Sequence, residues 1–75
     1  MEQEIKNKKY IELNAFVKLN NLATTGGQAK LLIRTGDVFV NGVSETRNKR
    51  KLYSGDKISY KGKIYVVEES MLKMG

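Results

Sequence analysis

The 75-residue chain contains no cysteine and no histidine. Without cysteine there is no disulfide, no zinc-thiolate site and no thiol nucleophile. Without histidine the commonest general base and metal ligand is missing. With both absent, the ordinary zinc sites are excluded. The glycines do not follow the Rossmann spacing, and no P-loop Gly-Lys-Ser/Thr is present. No run approaches the roughly 20 apolar residues needed to span a bilayer. The start, MEQEIKNKKY, lacks the apolar stretch of a secretory signal. The expectation is a soluble, cytoplasmic, monomeric protein with no metal, no cofactor and no membrane association. A chain this short suits one small domain spanning residues 1–75. Such a domain buries only roughly 60 % of the surface its unfolded chain exposes, which leaves little room for a deep catalytic cleft. With no nucleophile-base pair and no metal cluster in view, the chain reads as a non-enzyme.

Acidic residues are scarce where basic ones concentrate. The net charge is +6, from 14 Lys and Arg against 8 Asp and Glu. Between Leu13 and Lys63 ten basic residues face three acids (Asp37, Glu45 and Asp56), so this middle span carries +7. A concentrated positive field on so small a body draws polyanions. The alternative is a basic surface that serves solubility alone.

The pattern along the chain is that of an α+β domain. Met1 to Lys9 is expected as a polar arm or short edge strand. Tyr10 to Leu13 is β-compatible and leads into a helix marked by Leu13, Phe16, Val17 and Leu19. Asn20-Asn21 stops it, because Asn tolerates the left-handed conformation that ends helices. A second helix starts at Thr25, with Gln28 at the capping-box spacing, and ends at Gly36. Its inner stripe is Ala29, Leu32 and Ile33, flanked by Leu31. Val38-Phe39-Val40 reads as a strand, and Asn41-Gly42 as a type I′ turn, in which both central residues need positive φ. Glu45 to Lys51 (ETRNKRK) is expected as a basic loop too hydrophilic for the core. Ser54-Gly55-Asp56 and Lys61-Gly62 read as turns around strands at Lys57 to Tyr60 and Lys63 to Glu68. Ser70 to Gly75 is expected to fray. The expected architecture is two short helices packed on a small antiparallel sheet.

The combination Q-A-K-x-x-I-x-x-G-x-V-x-V-N-G, running from Gln28 to Gly42, with a later L-x-x-G-D at Leu52, Gly55 and Asp56, resembles the S-4 RNA-binding domain, named for a small-subunit ribosomal protein. The resemblance covers roughly Tyr10 to Val67, nearly the whole chain, and is closest to the short stand-alone bacterial members. It implies the S-4-like (αL motif) fold and a helical face that binds structured RNA, often ribosomal RNA or a tRNA-like shape, with the ribosome as a candidate partner. Carried over by position, the contacts fall on Thr25, Gly26, Gly27 and Gln28, on Lys30 and Arg34, and on Lys18 of the first helix. The basic residues Arg47, Lys49, Arg50 and Lys51 extend that set. Many members carry Ser-Arg where this chain has Gly26-Gly27, so backbone N–H groups stand where the resemblance leads one to expect an arginine.

Each of these positions has an ordinary alternative. Lys30 and Arg34, four apart, share the helix face opposite the apolar stripe and could be a solvated face. Beside a glycine-rich helix N-terminus they gain meaning, because free N–H groups and the helix dipole attract phosphate there. Arg34 can also fork onto a phosphate or stack on a base. The four basic residues from Arg47 to Lys51 could simply protect a sheet edge. Tyr10, Tyr53, Tyr60 and Tyr65 read as core or sheet surface, while alternation places Phe39 on the face opposite Val38 and Val40. Asp37 and Asp56 read as turn residues. Two other functions compete with RNA binding: a helix-turn-helix that puts the second helix in the DNA major groove, and a protein-protein adaptor.

Overall fold

The computed structural model describes residues 9–74. The polar arm expected at the N-terminus therefore lies outside the described residues, except for Lys9, which opens the first strand. The chain runs β1 (Lys9–Glu12), α1 (Leu13–Leu19), α2 (Gly26–Arg34), β2 (Val38–Val40), β3 (Val43–Ser44), β4 (Lys51–Leu52), β5 (Lys57–Tyr60) and β6 (Lys63–Val66), then a 3-10 turn (Glu69–Met71) and β7 (Lys73–Met74). The α+β architecture is as expected, with one addition. The strands form two antiparallel sheets, β3-β2-β5-β6 and β4-β1-β7, where one was expected.

Local chemistry sets the helix boundaries. α1 ends in a Schellman motif: the Asn21 N–H donates to Lys18 O and the Leu22 N–H to Val17 O, both at 3.0 Å. This geometry needs a left-handed residue after the cap, and Asn21 supplies it at φ 61°. Gly36 does the same after α2, at φ 86°. At the start of α2 the Thr25 hydroxyl accepts from the Gln28 N–H at 3.1 Å. The reciprocal half of the expected capping box is shifted by one residue, since Gln28 Oε1 accepts from Thr24 N–H and Thr24 Oγ1 rather than from Thr25. Asn41 and Gly42 have φ 51° and 85°, the type I′ signature, and bring Val40 opposite Val43.

The core draws on every layer. Leu13, Phe16 and Val17 of α1 meet Ala29 and Ile33 of α2, together with Ile11, Val38, Val40, Leu52, Ile58 and Val67 from the strands and their flanks. Each large apolar side chain so buried contributes roughly 1.5–3 kcal/mol, which is why a domain of this size can hold together without staples. Alternation decides the faces of β2: Val38 and Val40 are buried and Phe39 faces outward.

Three expectations need correction. Among the described residues, 70–74 run through regular structure where fraying was expected. The chain turns through the 3-10 segment and adds β7 to β1, pairing Lys73 with Tyr10 and Met74 with Lys9. That pairing is made by backbone groups, which every residue but proline carries, so side-chain character does not announce it. Leu19 and Leu31, expected on or beside the inner stripes, are mostly exposed, at 55 % and 66 %. The stretch from Glu45 to Lys51 is not wholly surface, because Glu45 is buried and Lys51 lies in β4, opposite Glu12 of β1.

Candidate nucleic-acid interface

The first turn of α2 is open. Thr25, Gly26, Gly27 and Gln28 are all exposed. The Gln28 N–H is taken by the Thr25 side chain and the Ala29 N–H by the Thr25 carbonyl at 3.0 Å. The Gly26 and Gly27 N–H groups are left as the donors of the helix end. Neither glycine is required by the fold. A Cβ at Gly26 would meet nothing within 4 Å, and one at Gly27 would meet only the Thr25 hydroxyl at 3.9 Å. Neither has a positive φ. Glycine in a helix is nevertheless unfavourable by up to about 1 kcal/mol against alanine. What the missing side chains provide is access to the backbone.

Lys30 and Arg34 lie on the same helix, one turn apart and both exposed, with Ala29 and Ile33 turned into the core. Lys18 sits exposed in the last turn of α1. It borders a groove lined also by Tyr10, Ile11, Ala15, Leu19 and Met71.

The basic loop lies at the other end of α1. The Leu13 and Asn14 N–H groups, at the start of that helix, donate to Arg50 O at 2.8 Å and Asn48 O at 3.0 Å. The loop thus satisfies helix donors that would otherwise be orphaned. Arg47, Lys49, Arg50 and Lys51 line a shallow pocket of about 550 Å³. α1 has seven residues, about 10 Å of helix at 1.5 Å per residue, and separates this pocket from the start of α2. The eleven sequence-predicted residues fall into three groups. Six lie on α2 and its cap, four lie in the loop, and Lys18 stands on the groove beside β1 and the 3-10 turn, whose lining includes no residue of α2.

Not all the loop cations are free. Glu45, 7 % exposed, accepts a two-pronged bond from the Arg47 guanidinium, Nε to Oε2 at 3.0 Å and Nη2 to Oε1 at 3.1 Å. It also accepts from the Arg47 backbone N–H at 2.9 Å and from Arg50 Nη1 at 2.6 Å. The Arg47 side chain is the main cause that lowers the Glu45 carboxyl from 4.5 to about 2. Burial acts in the opposite direction, and the Arg47 N–H and Arg50 add to the lowering. The same pairing raises the Arg47 guanidinium above its ordinary value. Lys51 is engaged too, with Nζ 4.8 Å from the centroid of the Tyr10 ring.

Sequence reading missed Glu45. The available signal was a single acid at the head of a run of cations, two residues before Arg47 and five before Arg50. The aspartates are more ordinary. Asp56 accepts from the Tyr53 N–H at 2.8 Å and from Asn41 Nδ2 at 3.2 Å, which ties two turns together. Among the described residues no group of three or more Asp, Glu, His or Cys could hold a metal ion. No helix among them is long and apolar enough to cross a membrane.

Comparison with known proteins matches this sequence to a family. The profile of the S4 domain matches residues 3–68. The chain is 38 % identical over 53 residues to "Putative RNA-binding protein YbcJ" of Escherichia coli K12, covering 71 % of this chain and 76 % of that protein. It is also 38 % identical over 52 residues to "Probable ribosome maturation protein RlbA" of Bacillus subtilis 168, covering 69 % of this chain and 73 % of that one. By the span of that profile and the extent of these two likenesses, the chain belongs to the S4 domain family.

Proposed function

We propose that this protein is a non-enzymatic, monomeric RNA-binding module, acting as one domain over residues 1–75, that grips structured RNA, ribosomal RNA foremost, in the cytoplasm. The observation that carries the reading is the start of α2. Two exposed glycines without an intramolecular role leave N–H donors open, one turn before Lys30 and two turns before Arg34. A phosphate placed there would meet the positive end of the helix dipole and then two cations. The names of the two relatives, one RNA-binding and one concerned with ribosome maturation, support RNA as the ligand and the ribosome as its setting. A-form duplexes hide their major-groove edges, so so small a surface would read backbone geometry and phosphate spacing rather than sequence. The loop cations supply a second point of attachment at the far end of α1.

The test is binding of the Lys30→Ala/Arg34→Ala variant to a structured ribosomal RNA fragment across a salt series. Affinity is expected to fall by at least roughly 100-fold, as for the loss of two charge-assisted hydrogen bonds of about 1.5–3 kcal/mol each. The slope of log affinity against log salt is expected to shrink by about 1.4–1.8. Unchanged affinity and slope would remove the site assignment. Displacement of the RNA by duplex DNA at equal concentration would remove the ligand assignment.

A further inference from the structure

Glu45 poses a question of sign. A surface that binds polyanions gains from every acid removed, because each carboxylate weakens the field that attracts phosphate. Yet an acid is buried against two of the four loop cations, Arg47 and Arg50, and the fold invests in it. Its backbone N–H donates to Val38 O at 2.9 Å, which continues the β2-β3 pairing and fixes where the carboxylate stands. Its two oxygens accept four hydrogen bonds, two each, from Arg47 and Arg50. That fills the acceptor capacity of a carboxylate. The arginines are not equally buried: the Arg47 side chain is 72 % exposed and that of Arg50 33 %. They still line the pocket shared with Lys49 and Lys51.

Counting charges there, four cations and one anion leave +3, so the pocket remains a site for anions. An arginine has five N–H donors. Glu45 takes two from the Arg47 side chain and one from that of Arg50, so each guanidinium keeps donors to offer. A long side chain free in solvent loses rotamer freedom when a ligand immobilises it, roughly 0.5–1.5 kcal/mol each. Arg47 and Arg50 have already lost part of that freedom to Glu45.

Resting on the RNA-binding reading above, we propose that Glu45 is a positioning residue for phosphate recognition: it holds Arg47 and Arg50 in a preformed cradle, so removing its negative charge weakens RNA binding instead of strengthening it. Its depressed pKa agrees with this, since the carboxylate stays ionised throughout the neutral range. The ligand is a phosphate of the RNA backbone, met by two guanidiniums whose planes are fixed before it arrives. Arg50 is held twice, through its side chain by Glu45 and through its carbonyl by the Leu13 N–H. The cradle is thereby locked to the end of α1.

The experiment measures binding of a structured ribosomal RNA fragment by the wild type, Glu45→Gln and Arg47→Lys/Arg50→Lys over a salt series. Folding of each variant is checked by circular dichroism. Glu45→Gln is expected to bind about tenfold more weakly, the ordering cost of two arginines. Its salt slope should be unchanged, because the same cations still reach the same phosphates. Arg47→Lys/Arg50→Lys keeps every charge and Glu45 but removes the fork, and should show the same loss at the same slope. If Glu45→Gln fails to fold, this second variant decides alone. Binding by Glu45→Gln as tight as or tighter than wild type, or no loss in the lysine pair, would overturn the inference and leave the RNA-binding reading intact. A wild type that ignores the RNA would overturn both.

Discussion

The two ends of α1 carry the two halves of the candidate interface, and they are built in opposite ways. Beyond its C-terminal end the chain closes a Schellman motif at Asn21 and starts α2 under a threonine cap. Every bond in that construction joins residues a few positions apart. The result is an open helix end with free donors and exposed cations. At the N-terminal end, the loop is held by partners distant in sequence. Asn48 and Arg50 carbonyls meet Asn14 and Leu13, Glu12 pairs with Lys51, and Glu45 leans on Val38. Here Arg47, Arg50 and Lys51 are engaged before any ligand comes. One half offers unpaired donors on a rigid helix, and the other offers side chains held rigid by an acid. Both routes reach preorganisation, which lowers the entropic cost of binding.

The largest test of this contrast asks whether the halves stand or fall together. Leu52 is fully buried in β4, the strand that anchors the loop to β1. Leu52→Ala should cost about 2–5 kcal/mol, a truncation plus a cavity. Because Leu52 shares one core with Phe16 and Ile33, denaturant unfolding followed by amide signals from α2 and from the loop should shift by the same amount. A loop that melts first, with α2 unmoved, would make the halves separate folding units.

A smaller effect should mark the loop alone. The folded carboxyl of Glu45 titrates at about 2 against an ordinary 4.5. A depressed carboxylate pKa stabilises the fold above the unfolded value, and that stabilisation is lost as pH falls towards the folded one. The wild type should therefore melt higher than Glu45→Gln at pH 6, and the gap should narrow below about pH 4.5 and be smallest near pH 2. Melting temperatures of both proteins across that range check it. A constant gap would mean that Glu45 acts through packing rather than charge.

The same contrast explains what could be read from the sequence. The α2 half was legible because its signals are local: Thr25 with Gln28, the Asn pair, Gly36, and Asn-Gly at 41–42. Even there, only contacts could reveal that Gln28 reaches Thr24 instead of Thr25. The loop half was half legible. Its cations were visible, but their acid partner was taken as one more surface charge, since hydrophilicity carries no information about a salt bridge folded inward. β7 was missed for a related reason. Strand addition to β1 is made by backbone groups, and the two residues of β7 are too few to set an alternating pattern.

The smallest effect is the most specific to the α2 half, because it sets stability against binding. Gly26→Ala and Gly27→Ala add a Cβ where nothing but the Thr25 hydroxyl comes within 4 Å, in a helix that prefers alanine. Each should stabilise the domain by a few tenths of a kcal/mol, up to about 1 kcal/mol. If phosphate approaches the exposed N–H groups, the added methyls crowd it, and RNA affinity should fall while thermal stability rises. Melting curves and binding isotherms on the same samples separate the outcomes. Stability up with affinity unchanged would mean the glycines face empty solvent, and recognition on this helix would then rest on Lys30 and Arg34 without the backbone. No comparable pair exists in the loop, where the Glu45 substitution that weakens binding is also expected to weaken the fold. Opposite signs on α2 and matching signs at Glu45 would establish that one half gains its fit from what it leaves open and the other from what it ties down.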